Sequence, residues 1–303
     1  MLCKPRLLNA LIIVATLLGG TSVLRPNEAS AEEESLGPRI KFLDDLFCWG
    51  QASTRDPWEE RIETERHDFT QSATTVGRGV SQVEMGYTYF YLDDDDEIEQ
   101  SHTTPELMTR IGLSDDIEFR LRWTYAWVFI DEHEDPDAAE DLRWSFKLGV
   151  TDQDCWLPQS ALELRFTAPT GGKEFSTTRV DWGLDYIYDW ELCEGWRFYG
   201  STGISADGLG DFGILPDEPA ADHFFVVSQS FALETVITER VTMYNEIYGL
   251  FSQKLEDDFN IVVFNIGVDY YLTDDLVLDI RVGKGLTPDT DDMFAGFGGG
   301  FRF

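Results

Sequence analysis

The sequence ends on Phe294–Phe303 (FAGFGGGFRF), a stretch that alternates strictly. Ala295, Phe297, Phe301 and Phe303 fall on one face of an extended chain, and Gly296, Gly298, Gly300 and Arg302 on the other. Aromatic groups on one side and small or charged groups on the other are the pattern of a closing strand in an outer-membrane β-barrel. There, apolar side chains meet lipid and small or polar ones face the lumen. An edge strand of a soluble β-sandwich alternates in the same way, so the choice between the two falls to the sequence upstream.

From about residue 80 the period of two returns in segment after segment. Ile117, Phe119, Leu121, Trp123, Tyr125, Trp127 and Phe129 oppose Glu118, Arg120, Arg122 and Thr124. Val180, Trp182, Leu184, Tyr186, Tyr188 and Trp190 oppose Asp181, Gly183, Asp185 and Asp189. No helical spacing fits these runs. Twelve strands are predicted, at 80–92, 103–113, 117–130, 141–150, 159–168, 177–190, 196–205, 224–237, 241–253, 260–272, 276–284 and 294–303. Most reach the roughly 9–11 residues that cross a bilayer at a tilt. The links after even strands are short, such as Ser114-Asp115-Asp116 and Thr273-Asp274-Asp275. Most of those after odd strands are longer, such as 93–102, 131–140, 206–223 and 285–293. Short turns on one rim and long loops on the other predict an all-β, transmembrane, up-and-down antiparallel barrel, because a sandwich has no reason to alternate its connections. Trp127, Trp182, Trp190, Trp196, Tyr89 and Tyr91 lie near strand ends on the outward face, where interfacial aromatic girdles belong.

The N-terminus agrees with export. Lys4 and Arg6 precede an apolar run from Leu7 to Leu18, and Ala29-Ser30-Ala31 resembles a small-residue cleavage site, so residues 1–31 read as a signal peptide. Residues 32–77 then form an N-terminal segment, acidic and poorly ordered in its first part, and 78–303 the barrel. From 62 to 79 the segment either stays periplasmic or folds back into the lumen as a plug. The chain carries 23 basic and 57 acidic residues. Such a balance rules against nucleic acid as a partner, and the expected surroundings are outer-membrane lipid and lipopolysaccharide. A mean hydropathy of −0.24 is no objection, since only alternate residues of a barrel strand face lipid.

Strand parity assigns the interior. Arg110, Arg120, Arg122, Arg143, Lys147 and Arg165 form a basic wall, and Glu118, Asp181, Asp185, Asp189, Asp269 and Asp279 supply acidic lining. If these groups face a passage they impose a transverse field on solutes; if they pair with one another they fill the bore. The acidic runs Asp93–Glu97 and Asp131–Asp135 lack the spacing of a dedicated calcium loop and read as solvated surface, with divalent ions bridging them to lipopolysaccharide as a second reading. No metal site and no cofactor are expected. Cys155 and Cys193 fall in turns on one rim, where an oxidising compartment permits a disulfide or leaves two free thiols.

Glu63-Thr64-Glu65-Arg66-His67-Asp68-Phe69-Thr70-Gln71-Ser72, Gly79–Tyr87, His102–Leu113 and Ala168-Pro169-Thr170-Gly171 resemble the opening segment, first two strands and P-T-G loop of the outer-membrane transporter family named after the meta-pathway of phenol degradation. Glu63, Glu65, His67 and Gln71 depart from the family pattern of Asp, Asp, Pro and Glu. The resemblance implies a β-barrel, an outer-membrane location and transport. Together these features predict a passive channel for small solutes, with the terminal Phe301 and Phe303 serving recognition by the barrel-assembly machinery. A non-conducting structural or metal- and partner-binding barrel is the alternative. A phospholipase-like hydrolase is less well supported, because His67, His102, His133 and His223 have no evident Ser and acid partners in local sequence.

Overall fold

A computed structural model describes residues 40–47, 55–67, 69–94, 97–130, 135–206, 225–252, 259–288 and 290–303. The proposed signal peptide at 1–31 lies outside them. The strands are Ser81–Asp94 (β1), Glu97–Gly112 (β2), Ile117–Trp123 continued as Tyr125–Ile130 (β3), and Asp137–Ala139 continued as Leu142–Thr151 (β4). They go on as Gln159–Ala168 (β5), Trp182–Cys193 (β6), Trp196–Ser205 (β7) and Val226–Thr238 (β8). Val241–Ser252 (β9), Phe259–Thr273 (β10), Leu276–Gly285 (β11) and Met293–Arg302 (β12) complete the sheet. Each pairs antiparallel with its neighbours in the chain, and β1 pairs with β12 from Gln82 opposite Arg302 to Tyr91 opposite Met293. The result is a closed twelve-stranded antiparallel barrel. Closure follows from the backbone: in hydrocarbon an open edge would leave a row of N–H and C=O groups without partners.

The pleat sorts the side chains as parity requires. Phe297, Phe301 and Phe303 on β12, and Leu278, Ile280 and Val282 on β11, are exposed on the outside, Ile280 by 60% and Phe303 by 64%. Their neighbours Asp279, Phe294 and Arg302 are buried within. Among the described residues, buried polar and charged residues together outnumber buried apolar ones, which form small clusters such as Val226, Tyr248, Leu250, Ile261, Val263 and Phe294.

Three boundaries differ from the sequence reading. β1 and β2 run on together to Asp94 opposite Glu97, through much of what reads as the loop 93–102. Strand pairing there outlasts the apolar pattern, because beyond a hydrocarbon layer both faces of a hairpin tolerate polar groups. β6 begins at Trp182 rather than 177, after a short 3-10 turn at Lys173–Phe175 and a Thr178 at φ 58°. β3 breaks at Thr124, whose carbonyl accepts the Glu140 amide at 3.0 Å.

Part of the segment expected to be poorly ordered is also structured: Lys41–Phe47 forms a helix, α1. Lys41 Nζ lies 2.8 Å from both Asp116 and Asp152, and the Asp45 carboxylate accepts the Asp116 amide at 2.9 Å. These bonds fix the helix to the rim of short turns.

Exposure on the outer face has a measurable consequence. Ile280→Lys, at mid-strand, is expected to cost about 2–4 kcal/mol of folding stability in lipid vesicles. A denaturant titration in vesicles checks it, and an unchanged midpoint would contradict a lipid-facing Ile280.

Candidate functional site

The lumen also holds chain that precedes β1: residues 55–67 and 69–80 enter from the rim of short turns, cross the interior and return to that rim. At the entry, Arg302 donates to the carbonyls of Pro57 (3.0 Å) and Glu60, and the Ile62 amide donates to Asp274 O at 2.8 Å. At the exit, Thr75 Oγ1 donates to Asp115 O at 2.5 Å and the Gly79 amide to Gly112 O at 2.9 Å. Between these points Ile62, Glu65, Arg66, His67, Thr70, Ser72 and Ala73 are all buried. The segment is the plug that the sequence reading left open.

Extended chain without a sheet partner needs other acceptors for its amides. The wall supplies carboxylates. Glu84 accepts from the Glu65 and Arg66 amides at 2.8 and 2.7 Å, Glu246 from Thr70, Asp189 from Ala73 at 3.3 Å, and Glu118 from Val76 at 2.7 Å.

Side chains add a second set of bonds. Glu65 is met by Lys147 (2.8 Å), Arg120 (2.6 Å) and Arg110 (3.3 Å), so three cations of the basic wall converge on one plug carboxylate. Arg110 and Arg120 also hold Glu118, at 2.7 and 2.6 Å. Arg66 runs the opposite way, bridging Asp279 and Glu106 at 2.5 Å each. Arg197 joins Asp189 and, at 2.7 Å, Glu63. His67 Nε2 lies 3.2 Å from Asp269. Arg165 pairs with Asp185 at 2.6 Å, and Arg179 with Asp181 at 2.8 Å. Thus Arg110, Arg120, Lys147, Glu118, Asp189, Asp269 and Asp279 are inward as parity assigns them, but they grip the plug rather than face one another across a passage. Arg122 and Arg143 line open space. The transverse field expected of the basic wall is largely neutralised on this side of the lumen, because Glu65, Glu118 and Glu163 sit among its cations.

The final strand makes room for the plug. A Cβ on Gly298 would stand 2.4 Å from Arg66 Nη2, one on Gly86 of the adjoining β1 would stand 2.3 Å from Arg66 Cζ, and one on Gly300 would stand 2.4 Å from Thr64 Cγ2. The glycine face of FAGFGGGFRF is therefore the surface against which Thr64 and Arg66 lie.

On the long-loop side of the plug a cavity of ≈ 170 Å³ remains. Arg122 and Thr124 of β3, Arg143 of β4 and Arg165 of β5 line one side of it, and Val226 of β8 with Tyr248 and Leu250 of β9 line another. Phe69 and Gln71 of the plug are also in contact with it.

The remaining assignments separate. Phe301 and Phe303 stack on the outer face, 5.7 Å between centroids. Cys155 is disulfide-bonded whereas Cys193 is a free, exposed thiol, so the two do not pair with each other. Cys155 is at φ 56° in the turn between β4 and β5, and turn proximity alone carries no information on partner choice. His102 Nδ1 lies 2.7 Å from Tyr87 Oη within an aromatic group on the outer face. His133 and His223 are outside the described residues, as are Asp95, Asp96 and 131–134 of the acidic runs. Among the described residues no group of three or more potential metal ligands occurs.

A polar, filled bore inside an apolar cylinder defines a plugged β-barrel. Residues 64–303 match the family described as "Putative MetA-pathway of phenol degradation", and the chain belongs to that family. An outer membrane channel from Pseudomonas putida F1 shares the fold, with a TM-score of 0.59 at 14% identity over 80% of this chain and 100% of that one. The translocator domain of autotransporter NalP from Neisseria meningitidis gives a TM-score of 0.45 at 8% identity, covering 75% of this chain and 89% of that one. KdgM porin gives 0.44 at 6% identity, covering 73% and 99%. No protein of curated function matches the chain by sequence.

Two outcomes are expected. Glu65→Ala leaves Arg110, Arg120 and Lys147 short of a shared anion, a loss of about 3–5 kcal/mol for broken buried pairs. Limited proteolysis of the micellar protein should then cut within 55–79 at sites protected in the parent, and retained protection would contradict the anchoring role. The second concerns the loop before β12. Burial, reinforced by Glu99 and Asp292, pushes the Asp291 carboxyl up to about 7. A raised folded-state pKa stabilises the protonated form, so its contribution is full below the ordinary carboxylate range and is lost as pH rises through about 7. Hydrogen exchange of the Gly285 amide, which donates to Asp291 O at 3.2 Å, should accelerate between pH 6 and 8 beyond the intrinsic rate, and Asp291→Asn should flatten that excess.

Proposed function

We propose that this protein is an outer-membrane channel for the passive passage of small solutes, shut at rest by its own N-terminal segment. One observation carries the reading: a closed barrel with an apolar exterior encloses a polar bore that, among the described residues, holds the segment preceding β1, both ends of which are bonded at the same rim. A barrel meant only as scaffold gains nothing from a bore that stays hollow at the other side. Family membership and the fold shared with a channel support the reading.

In this reading the rim of short turns is periplasmic, and the long acidic loops meet lipopolysaccharide at the cell surface. Residues 1–31 direct export, and the Phe-ended β12 is presented to the assembly machinery. The solute enters the ≈ 170 Å³ cavity from outside and stops at Phe69 and Gln71. Passage requires the plug to shift, which exchanges buried ion pairs for hydrated ones. No covalent step is involved. The density of plug contacts favours a second reading, a barrel that never conducts and serves as structure or as a binding surface.

Planar bilayers separate the two. The full chain should show small, infrequent openings, and deletion of residues 55–77 should give a larger unit conductance. Arg143→Glu, at the cavity, should move the reversal potential in a salt gradient toward cations. Silence from both the full chain and the deletion variant, each folded by heat-modifiable gel mobility, would establish the non-conducting reading instead.

A further inference from the structure

The rim of short turns has one departure from its own pattern. The turns after β6, β8 and β10 have two residues each, whereas seven residues, 152–158, join β4 to β5. This longer turn is itself a small hairpin. The Asp154 amide donates to Leu157 O at 3.0 Å and the Leu157 amide to Asp154 O at 2.9 Å, which leaves Cys155 and Trp156 as the two residues of the tip. Cys155 takes the left-handed conformation that the first position of such a tip demands. Thr151 Oγ1 closes the base by donating to Pro158 O at 2.8 Å.

The hairpin is folded against the outside of the barrel. Trp190 is on the outward face of β6, and its indole Nε1 donates to the Trp156 carbonyl at 3.2 Å. Gln153 secures the same side: its Nε2 donates to Glu191 O at 3.1 Å, and its Oε1 accepts the Glu191 amide at 2.8 Å. Trp190 in turn belongs to a run of outward rings. Tyr188 lies 5.7 Å from it and Phe198 6.1 Å, and Phe231 stacks on Phe198 at 6.0 Å. The tip therefore stands where the lipid-facing aromatic band meets the rim. Yet the Trp156 side chain is 85% exposed, more than any other large apolar residue described, and Leu192 near the end of β6 is exposed by 59%.

A loop that only joins two strands in water gains nothing from a bare indole held this firmly. An indole combines an apolar ring with one N–H donor, and it is most at home where hydrocarbon gives way to headgroups. Because the hairpin is fixed beforehand, docking there orders little more than one side chain. Asp152, Asp154 and Glu191 are exposed on the hairpin and its support, so anionic headgroups are repelled and zwitterionic ones favoured.

We propose that the 152–158 hairpin is a membrane-docking element, with Trp156 seated among zwitterionic phospholipid headgroups of the leaflet at the rim of short turns. The docked hairpin also fixes α1 relative to that leaflet, because Asp152 holds Lys41 at 2.8 Å. The inference rests on the outer face meeting lipid and not on conduction, since a channel and a silent barrel would dock alike.

The test is fluorescence of the full chain reconstituted in phosphatidylcholine vesicles. The chain has nine tryptophans, so the Trp156 signal is read as the difference between the parent and Trp156→Phe. Each protein is first checked for heat-modifiable mobility, and if Trp156→Phe fails that check, Trp156→Leu gives the same subtraction. The difference signal is expected at shorter wavelength than the emission of the urea-unfolded parent. It should resist acrylamide, and it should be lost when the lipid is replaced by phosphatidylcholine brominated near the headgroup end of its chains.

A difference signal at the unfolded wavelength, open to acrylamide and untouched by bromine, would place Trp156 in water and refute the proposal. Protection from acrylamide without quenching by bromine would mean that a second copy of the chain covers the tip, and would overturn it equally. Neither result touches conductance, so the channel reading would stand. Silence in bilayers, conversely, would leave the docking in place.

Discussion

The hydrogen-bond ladder between β1 and β12 governs everything inside this molecule. Hydrocarbon offers a peptide group no partner, so the first and last strands must meet. Their register, Gly86 opposite Gly298 and Glu84 opposite Gly300, fixes the seam. With twelve strands and a fixed pleat, every second side chain is enclosed whether or not it is apolar. Arginine, lysine and carboxylates thereby come within a few ångströms of one another out of bulk water, where an unpaired charge is costly. The plug answers that cost at both signs, with Glu65 set among Arg110, Arg120 and Lys147, and Arg66 set between Glu106 and Asp279. The cavity beyond it is what the same arithmetic leaves unfilled.

How far the sequence announces this depends on the kind of interaction. Strand positions and facing are local: the alternation at Ile117–Phe129 or Leu276–Val282 is a period of two, and Arg120 and Asp279, on its polar face, are buried. Strand ends are less well marked, because beyond the apolar belt the hairpin from Asp93 to Glu99 pairs through its backbone with no hydrophobic signal. The plug obeys no period at all. Its position depends on bonds between distant residues, such as Glu63 with Arg197 and Arg66 with Asp279, and on acceptors for amides that no neighbouring strand satisfies. Family resemblance around Glu63–Ser72 marked the segment without saying where it lies. The disulfide shows the same limit, since two cysteines in neighbouring turns, Cys155 and Cys193, do not join.

The terminal strand has two duties that pull in one direction. Aromatic groups on its outer face suit lipid, and glycines on its inner face admit Thr64 and Arg66. A strand with larger inward residues would still close the ring but would displace the plug from the seam. Composition at β12 is therefore set by what lies inside as much as by what lies outside.

The plug passes into β1 through Gly77 and Gly79, both in the left-handed region, at φ 82° and 81°. Only three residues separate Gly77 from the first residue of β1, and that strand is stitched on both sides to the wall. Such a stopper is a leaf on a hinge, with no freedom to leave the cylinder like a cork. Under the proposed gating, a leaf tied so closely to β1 would fold back onto its seat without a search.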